Sequence, residues 1–231
     1  MKRTMLLRFL WLTTIGMIPS VTAQDIAYSP RNERAWGYML QFGYHSTDSA
    51  YFNNAYEIDY LVGPRFSYLT IGLAGSVMWW PFDESHTMEA VKPWLPDNAL
   101  NPKVSQPPLP AASLGIGILA DLPLTKRASV VLLSSVRFML GPAVSVKWDE
   151  ELATPLARNT LVDYDESIEP SSRTIGRVGA HISFEKSDTL SSPFFGINFQ
   201  HEIGGTTATF RDAELENFNV NSIIIYGGWL L

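Results

Sequence analysis

The stretch from Ser113 to Trp148 alternates with a period of two, in two long runs joined by one compact turn, and few folds admit that pattern. In the first run Leu114, Ile116, Ile118, Ala120 and Leu122 fall on one face, and Ser113, Gly115, Gly117, Leu119 and Asp121 fall on the other. Pro123 to Arg127 forms the turn. The second run sets Val130, Leu132, Val136 and Phe138 against Ser129, Val131, Leu133, Ser135 and Arg137. Strands this long, apolar on one face and small or polar on the other, suit a sheet whose apolar face meets lipid.

The start of the chain agrees with such a destination. Lys2, Arg3 and Arg8 precede an apolar stretch from Phe9 to Ile18, and Val21-Thr22-Ala23 follows, which is the pattern of a signal peptide cut before Gln24. A membrane anchor would need roughly 20 apolar residues, more than this run supplies before Pro19. The chain has no cysteine, so neither a disulfide framework nor a lipoprotein anchor after the cleavage site is expected. The net charge is -6, and removing the three basic side chains of residues 1–23, which hold no acid, takes it to -9. An acidic chain without Lys/Arg clusters has no electrostatic footprint for nucleic acid. Beyond Ala23 no apolar run approaches the length of a membrane-spanning helix, so any span is built of strands.

Eight strands are predicted in residues 24–231, read as one domain. The first, Arg34 to His45, has Trp36, Tyr38, Leu40, Phe42 and Tyr44 in one row. The second, Ala55 to Val62, opposes Tyr56, Ile58, Tyr60 and Val62 to Glu57 and Asp59, and Gly63-Pro64-Arg65 reads as a tight turn. The third is Phe66 to Trp80, and the opening hairpin supplies the fourth and fifth. The sixth, Arg173 to Glu185, alternates Arg173, Arg177, His181, Ser183 and Glu185 with Thr174, Val178, Ala180, Ile182 and Phe184. The seventh, Pro193 to Thr209, sets Phe195, Ile197, Phe199 and Ile203 against Asn198, Gln200 and Glu202. The eighth, Phe218 to Leu231, is apolar on both faces near Ile223 to Ile225, so the pattern leaves its register open.

Connections after strands two, four and six are short: residues 63–65, 123–127 and 186–192. Those after strands one, three, five and seven are polar and mostly longer: residues 46–54, 81–110, 149–172 and 210–217. That alternation is the signature of an outer-membrane barrel, with short periplasmic turns and long extracellular loops. The fold class expected is therefore all-β, an eight-stranded antiparallel transmembrane β-barrel, whose wall meets outer-membrane lipid and lipopolysaccharide. The alternative is a soluble, lipocalin-like periplasmic carrier, which would turn Leu114, Ile116 and Ile118 inward. Small residues crowding the polar rows suit a narrow bore. Trp36, Trp79, Trp80, Trp148 and Trp229 near strand ends suit aromatic girdles.

The segment Leu114-Gly-Ile-Gly-Ile-Leu-Ala-Asp-Leu-Pro-Leu-Thr125, followed by Ala128-Ser-Val-Val-Leu-Leu-Ser-Ser-Val-Arg137, resembles a hairpin of the small outer-membrane β-barrel domain family of Bacteroidota, which includes PorT-like proteins. The resemblance covers this one hairpin and otherwise only the general pattern. It implies an outer-membrane location and a place beside an envelope or secretion complex. It brings no catalytic residues.

With the polar rows inward, the bore holds Glu57, Asp59, Asp121, Arg137, Arg173, Arg177, His181, Glu185 and Glu202. Similar numbers of both signs in so narrow a space predict an ion-pair network that fills the lumen. A conducting path is the functional alternative. His181-Ile-Ser183, with Glu185 beside it, is similar to the His-x-Ser element of PagL-related lipid A deacylases, and a Ser activated by His and oriented by a carboxylate is an acyl-transfer arrangement. Phe184 stands where that family has Asn, and the luminal row is the wrong wall for a lipid substrate. The acids Asp149, Glu150, Glu151, Asp163, Asp165, Glu166 and Glu169 read as a solvated loop, without the spacing or glycine of a Ca²⁺ loop. His45, His86, His181 and His201 show no metal spacing, and His201 lies in an apolar row. No cofactor or metal is expected. In residues 81–110, Pro93, Pro96, Pro102, Pro107, Pro108 and Pro110 accompany Trp94 and Leu95, and Asp83 can cap a short helix to Val91. This is the expected surface for an envelope protein partner.

Overall fold

Long alternating runs leave no edge unpaired when they close into a cylinder, and eight such runs do so here. The computed structural model describes residues 36–230 apart from 107–110, 126, 142–143, 155–156, 171–172, 185–191 and 206. The signal segment of residues 1–23 lies outside those residues, as does the predicted 186–192 turn apart from Ser192, which is already strand. The barrel strands are β1 (Trp36–Thr47), β2 (Ala55–Phe66), β3 (Leu69–Trp79), β5 (Ala111–Thr125), β6 (Ala128–Leu140), β9 (Thr174–Phe184), β10 (Ser192–Ile203) and β13 (Ser222–Leu230). Each pairs antiparallel with its neighbour, and β1 pairs with β13 from Met39↔Leu230 to Thr47↔Ser222, which closes the cylinder.

The wall is apolar outside and polar inside. Leu114 and Ile116 are 53% and 66% exposed, whereas Ser113, Asp121, Ser135 and Arg137 are buried. This corrects the lipocalin-like alternative, because a soluble carrier would carry the opposite assignment. The last strand is settled as well: Ile223 and Ile225 face out, and Ile224 and Tyr226 face in. This inside-out wall is the fold of an outer-membrane β-barrel.

Five further strands make a second sheet at the end of the barrel bearing the long connections. Its order is β12 (Ala213–Leu215), β11 (Ala208–Phe210), β8 (Ala157–Pro170), β7 (Val144–Thr154), β4 (Ala99–Ser105). The chain leaves β6 at Gly141, runs into β7, returns along β8 and re-enters the barrel as β9, so the centre of the sheet grows from one barrel hairpin, while β4 comes from the connection between β3 and β5 and β11 and β12 from the one between β10 and β13. Residues 149–172, predicted as a solvated acidic loop, are mostly this β7/β8 ladder, with Lys147 opposite Asp165 and Asp149 opposite Asp163. Alternation explains it: Val144, Val146 and Trp148 are buried on one face, while Lys147 and Glu151 point to solvent.

Helix α1 (Glu84–Val91) follows Asp83, whose carboxylate accepts the His86 backbone N–H at 2.9 Å and the Ser85 hydroxyl at 2.7 Å. Several predicted boundaries move: the fifth strand, read through to Trp148, ends at Leu140, the seventh ends at Ile203 and not Thr209, and the eighth starts at Ser222 and not Phe218. Gly63-Pro64-Arg65 lies within β2, and the turn comes at Ser67 and Tyr68, with Ser67 at φ 57°. Pro64 is tolerated because it faces Trp36, the first residue of β1, where little ladder remains to be broken. Trp80 and Trp148 leave the predicted girdles and are buried in the core between the barrel mouth and the second sheet, whereas Trp36, Trp79 and Trp229 stay on the outer wall.

Candidate functional site

The bore is filled in layers. Nearest the short turns, Arg65 Nη2 lies 3.2 Å from Asp121 Oδ2, beside a small hollow lined by Leu61, Thr70, Leu119 and Leu230. Above it an apolar layer joins Met39, Leu61, Ala74, Leu119, Val131, Leu133, Phe194 and Leu230. The next layer is ionic. Arg177 Nη1 and Nη2 reach the two oxygens of Glu57 at 2.6 and 2.7 Å, and Nη1 also meets Asp59 Oδ2 at 2.6 Å. Arg177 Nε donates to Gln200 Oε1 at 2.8 Å, and the Tyr226 hydroxyl donates to Glu57.

Arg137 completes the charge balance. Its Nη1 stands 2.9 Å from Asp59 Oδ2 without hydrogen-bond alignment, so Asp59 takes its directed bonds from Arg177 and from Gln41 Nε2, at 3.0 Å. The Arg137 Nε donates to Ser135 Oγ at 2.9 Å. Two guanidinium groups thus face two carboxylates, all four side chains fully buried. Isolated buried charges would be prohibitive, but a bidentate, neutral set with further hydrogen bonds is tolerated.

The strands supply the room this layer needs. Tyr226 sits opposite Gly43, His181 opposite Gly196, and Asn198 opposite Gly179. At each of these glycines an added Cβ would collide with the large side chain across the ladder. Small residues in the inward rows are therefore the counterparts of the polar filling.

His45 links the ionic layer to what lies above it. Its Nε2 is 3.1 Å from Glu57, its Nδ1 is 2.9 Å from Ser222 Oγ, and its ring meets Trp80 edge-on at 4.9 Å. Above His45 a large apolar core runs without interruption from the barrel rim into the second sheet. It joins Ala55, Met78, Met139 and Ile175 of the barrel to Phe52, Trp80, Val146, Trp148, Phe210 and Phe218 of the connections. The long connections are thus a folded head seated in the barrel mouth.

The predicted luminal residues divide accordingly. Glu57, Asp59, Arg137 and Arg177 come together. Asp121 pairs with Arg65 at the other end, and Glu202 is buried near the mouth against the Val220 backbone. Arg173 is exposed at the rim, and Glu185 lies outside the described residues. His181 turns Nε2 to Asn198 Oδ1 at 2.7 Å and stacks on Phe194, and Ser183 is buried in the same inward row. Neither reaches the outer wall, where an acyl chain would stand. Gln41, His45, Gln200 and Tyr226 join the layer without belonging to the predicted bore, although Gln200 stands in the polar row of the seventh strand. Gln41 and His45 share the row opposite Trp36 and Tyr38, which could have found them, whereas Tyr226 depended on the undecided register of β13.

On the head, Trp94 is 46% exposed on a Pro-stiffened 3-10 turn, while Leu95 packs inward against the head core. Arg211 fixes that turn. Its Nη1 donates to the Trp94 carbonyl at 3.3 Å, its Nε lies 3.5 Å from Glu166, and its guanidinium covers the Trp148 ring at 5.8 Å. Trp148 in turn stacks on Tyr164 at 5.4 Å. Arg211 adopts φ 54°, in the left-handed region, at the two-residue turn between β11 and β12.

No protein-family model matches the chain, and no curated protein matches it in sequence. Among solved structures it is similar to a major outer membrane protein from Thermus thermophilus, at 9% identity, over 85% of this chain and 99% of that chain, with a TM-score of 0.41. The barrel assignment rests on the strand pairing itself: the chain has the fold of an outer-membrane β-barrel.

Proposed function

We propose that the chain is an integral outer-membrane β-barrel that acts without catalysis, anchoring a folded extracellular head that scaffolds or binds another envelope component. The single observation that carries this reading is the continuous core joining head and barrel mouth above a charge-neutral, packed bore. A bore sealed by apolar layers on both sides of its ion pairs suits a pedestal better than a conduit. The head offers Trp94 outward on a stiffened, Arg211-fixed turn, the kind of rigid aromatic anchor that interfaces favour. The hairpin resemblance to PorT-like proteins adds that the partner belongs to an envelope or secretion complex.

The test is photo-cross-linking in intact cells from a probe at position 94, with membrane fractionation and heat-modifiable gel migration alongside. A single cross-linked partner and recovery in the outer-membrane fraction are expected. Recovery as a soluble periplasmic protein, stepwise conductance in planar bilayers, or an absence of any partner would overturn the reading. In the same strain Ser183→Ala should leave lipid A acylation unchanged, and a change would revive the deacylase.

A further inference from the structure

Three glycines among the described residues stand in outward-facing rows of the barrel: Gly75, Gly176 and Gly227. Two are covered. A Cβ at Gly75 would meet Tyr60 Oη at 2.6 Å and Cζ at 2.8 Å, so the Tyr60 ring from the neighbouring strand lies across it. A Cβ at Gly176 would meet Ile203 Cδ1 at 3.1 Å. At Gly227 the space is open: the nearest atom to an added Cβ is the Phe194 carbonyl oxygen, at 3.9 Å. Its φ is not in the left-handed region. Neither crowding nor backbone conformation calls for glycine there, in contrast to the inward Gly228, where a Cβ would strike the backbone at Leu40 and Gln41.

The surroundings make this gap a slot. Gly227 is opposed by Phe42 on β1 and Phe195 on β10. Neither ring comes within 4 Å of an added Cβ: Phe42 lies edge-on to Trp229 at 6.2 Å, along β13, and Phe195 turns to Phe184 at 5.8 Å, away from β13. Ile225 and Trp229 bound the slot along β13, and all four lining side chains are about half exposed. With strands about 4.8 Å apart, the two Phe rows stand roughly 10 Å from each other.

We propose that this slot holds one hydrocarbon chain of a membrane lipid, retained more tightly than the lipid around it. The proposal rests on the lipid-facing reading of the wall, with which the slot is continuous. Its lining is aromatic and aliphatic, with no charged side chain. In hydrocarbon the gain comes from packing contacts and not from escape from water, so an unfilled, ring-walled slot is where a chain gains most. A knob from a second barrel would have to bring its own wall past four protruding side chains. A flexible chain has no such requirement.

The experiment is native mass spectrometry of the full chain, folded with palmitoyl-oleoyl phosphatidylethanolamine and phosphatidylglycerol and then stripped by increasing activation. The wild type is expected to keep one phospholipid after the rest are lost. Gly227→Leu, whose Cβ meets nothing nearer than 3.9 Å, should lower that lipid-bound fraction about tenfold, the loss of roughly ten carbon–carbon packing contacts. Gly227→Ala, a minimal filling that any folded barrel accommodates, should lower it by a smaller factor. Heat-modifiable migration reports separately whether each variant is folded and inserted, so failure of the membrane reading is distinguishable from failure of the slot. Equal retention in wild type and folded Gly227→Leu would overturn the proposal. So would a wild-type dimer lost on Gly227→Leu without a lipid adduct, which would assign the slot to a second copy of this chain.

Discussion

Replacing Arg177 with Met removes the centre of the ionic layer while keeping a long side chain in place. Arg177 holds both oxygens of Glu57, one oxygen of Asp59 and Gln200. Without it, two fully buried carboxylates face Arg137 alone, and the layer changes from neutral to one net negative charge. Breaking a buried pair from one side costs about 3–5 kcal/mol, because the uncompensated charge stays behind. With a urea dependence of about 2 kcal/mol/M, the unfolding midpoint should fall by about 2 M. Glu57→Gln alone should be comparably damaging. Combined with Arg177→Met it leaves the neutral Asp59–Arg137 pair, so the double variant should cost about 2–3 kcal/mol less than the sum of the singles. The assay is urea unfolding of chain folded into lipid vesicles, with folded and unfolded bands resolved on unheated gels. A midpoint shift corresponding to less than about 1 kcal/mol for Arg177→Met, or strict additivity in the double variant, would refute a mutually dependent buried network.

Ile116→Arg, on the most exposed part of the β5 outer row, should cost about 2–4 kcal/mol in vesicles, and unchanged stability would mean that the wall does not face lipid. Gly43→Leu drives a side chain into the Tyr226 ring and should cost upwards of about 2 kcal/mol, read as loss of the heat-modifiable band; an unperturbed band would contradict the close packing of that pair. Arg211→Ala should speed proteolytic cleavage within residues 92–98 while leaving barrel stability unchanged, and equal cleavage rates would show that the staple is not needed. Helix α1 should loosen in acid. The His86 backbone N–H and the Ser85 hydroxyl hold the Asp83 carboxyl below its ordinary 3.8, so its capping contribution is complete above that value and lost as pH falls through the depressed one. Amide exchange in residues 84–91 should report this, and the same pH dependence in Asp83→Ala would assign it to another group.

The barrel was legible because every spanning strand repeats the same constraint: one row of large apolar residues, one row of small or polar ones. That repetition located all eight barrel strands and placed Glu57, Asp59, Arg137 and Arg177 inside. It could not say which luminal charges meet, since strand shear and side-chain reach decide that Asp121 finds Arg65 and not Arg177. The head was read as loops because its acids dominate the composition. The alternation Val144, Val146, Trp148 against Ser145, Lys147, Asp149 reads in sequence as a continuation of the fifth barrel strand, whereas that strand ends at Leu140 and Val144 begins β7 of the second sheet. β13 shows the opposite failure: Ile223, Ile224 and Ile225 erase the alternation, so the inward placement of Tyr226 emerges only from its pairing with Gly43.

The glycines beneath Tyr226, His181 and Asn198 have a consequence for descent. Each large luminal residue occupies volume vacated by its neighbour on the adjoining strand, so the contents of the bore are specified by couples of positions and not by single ones. In relatives of this chain, bulk at positions 43 or 179 should appear only where 226 or 198 has shrunk, whereas at 196 the Ala180 carbonyl also bars a Cβ. Such reciprocal substitutions would let the polar filling migrate around the cylinder over generations while its total volume stays fixed.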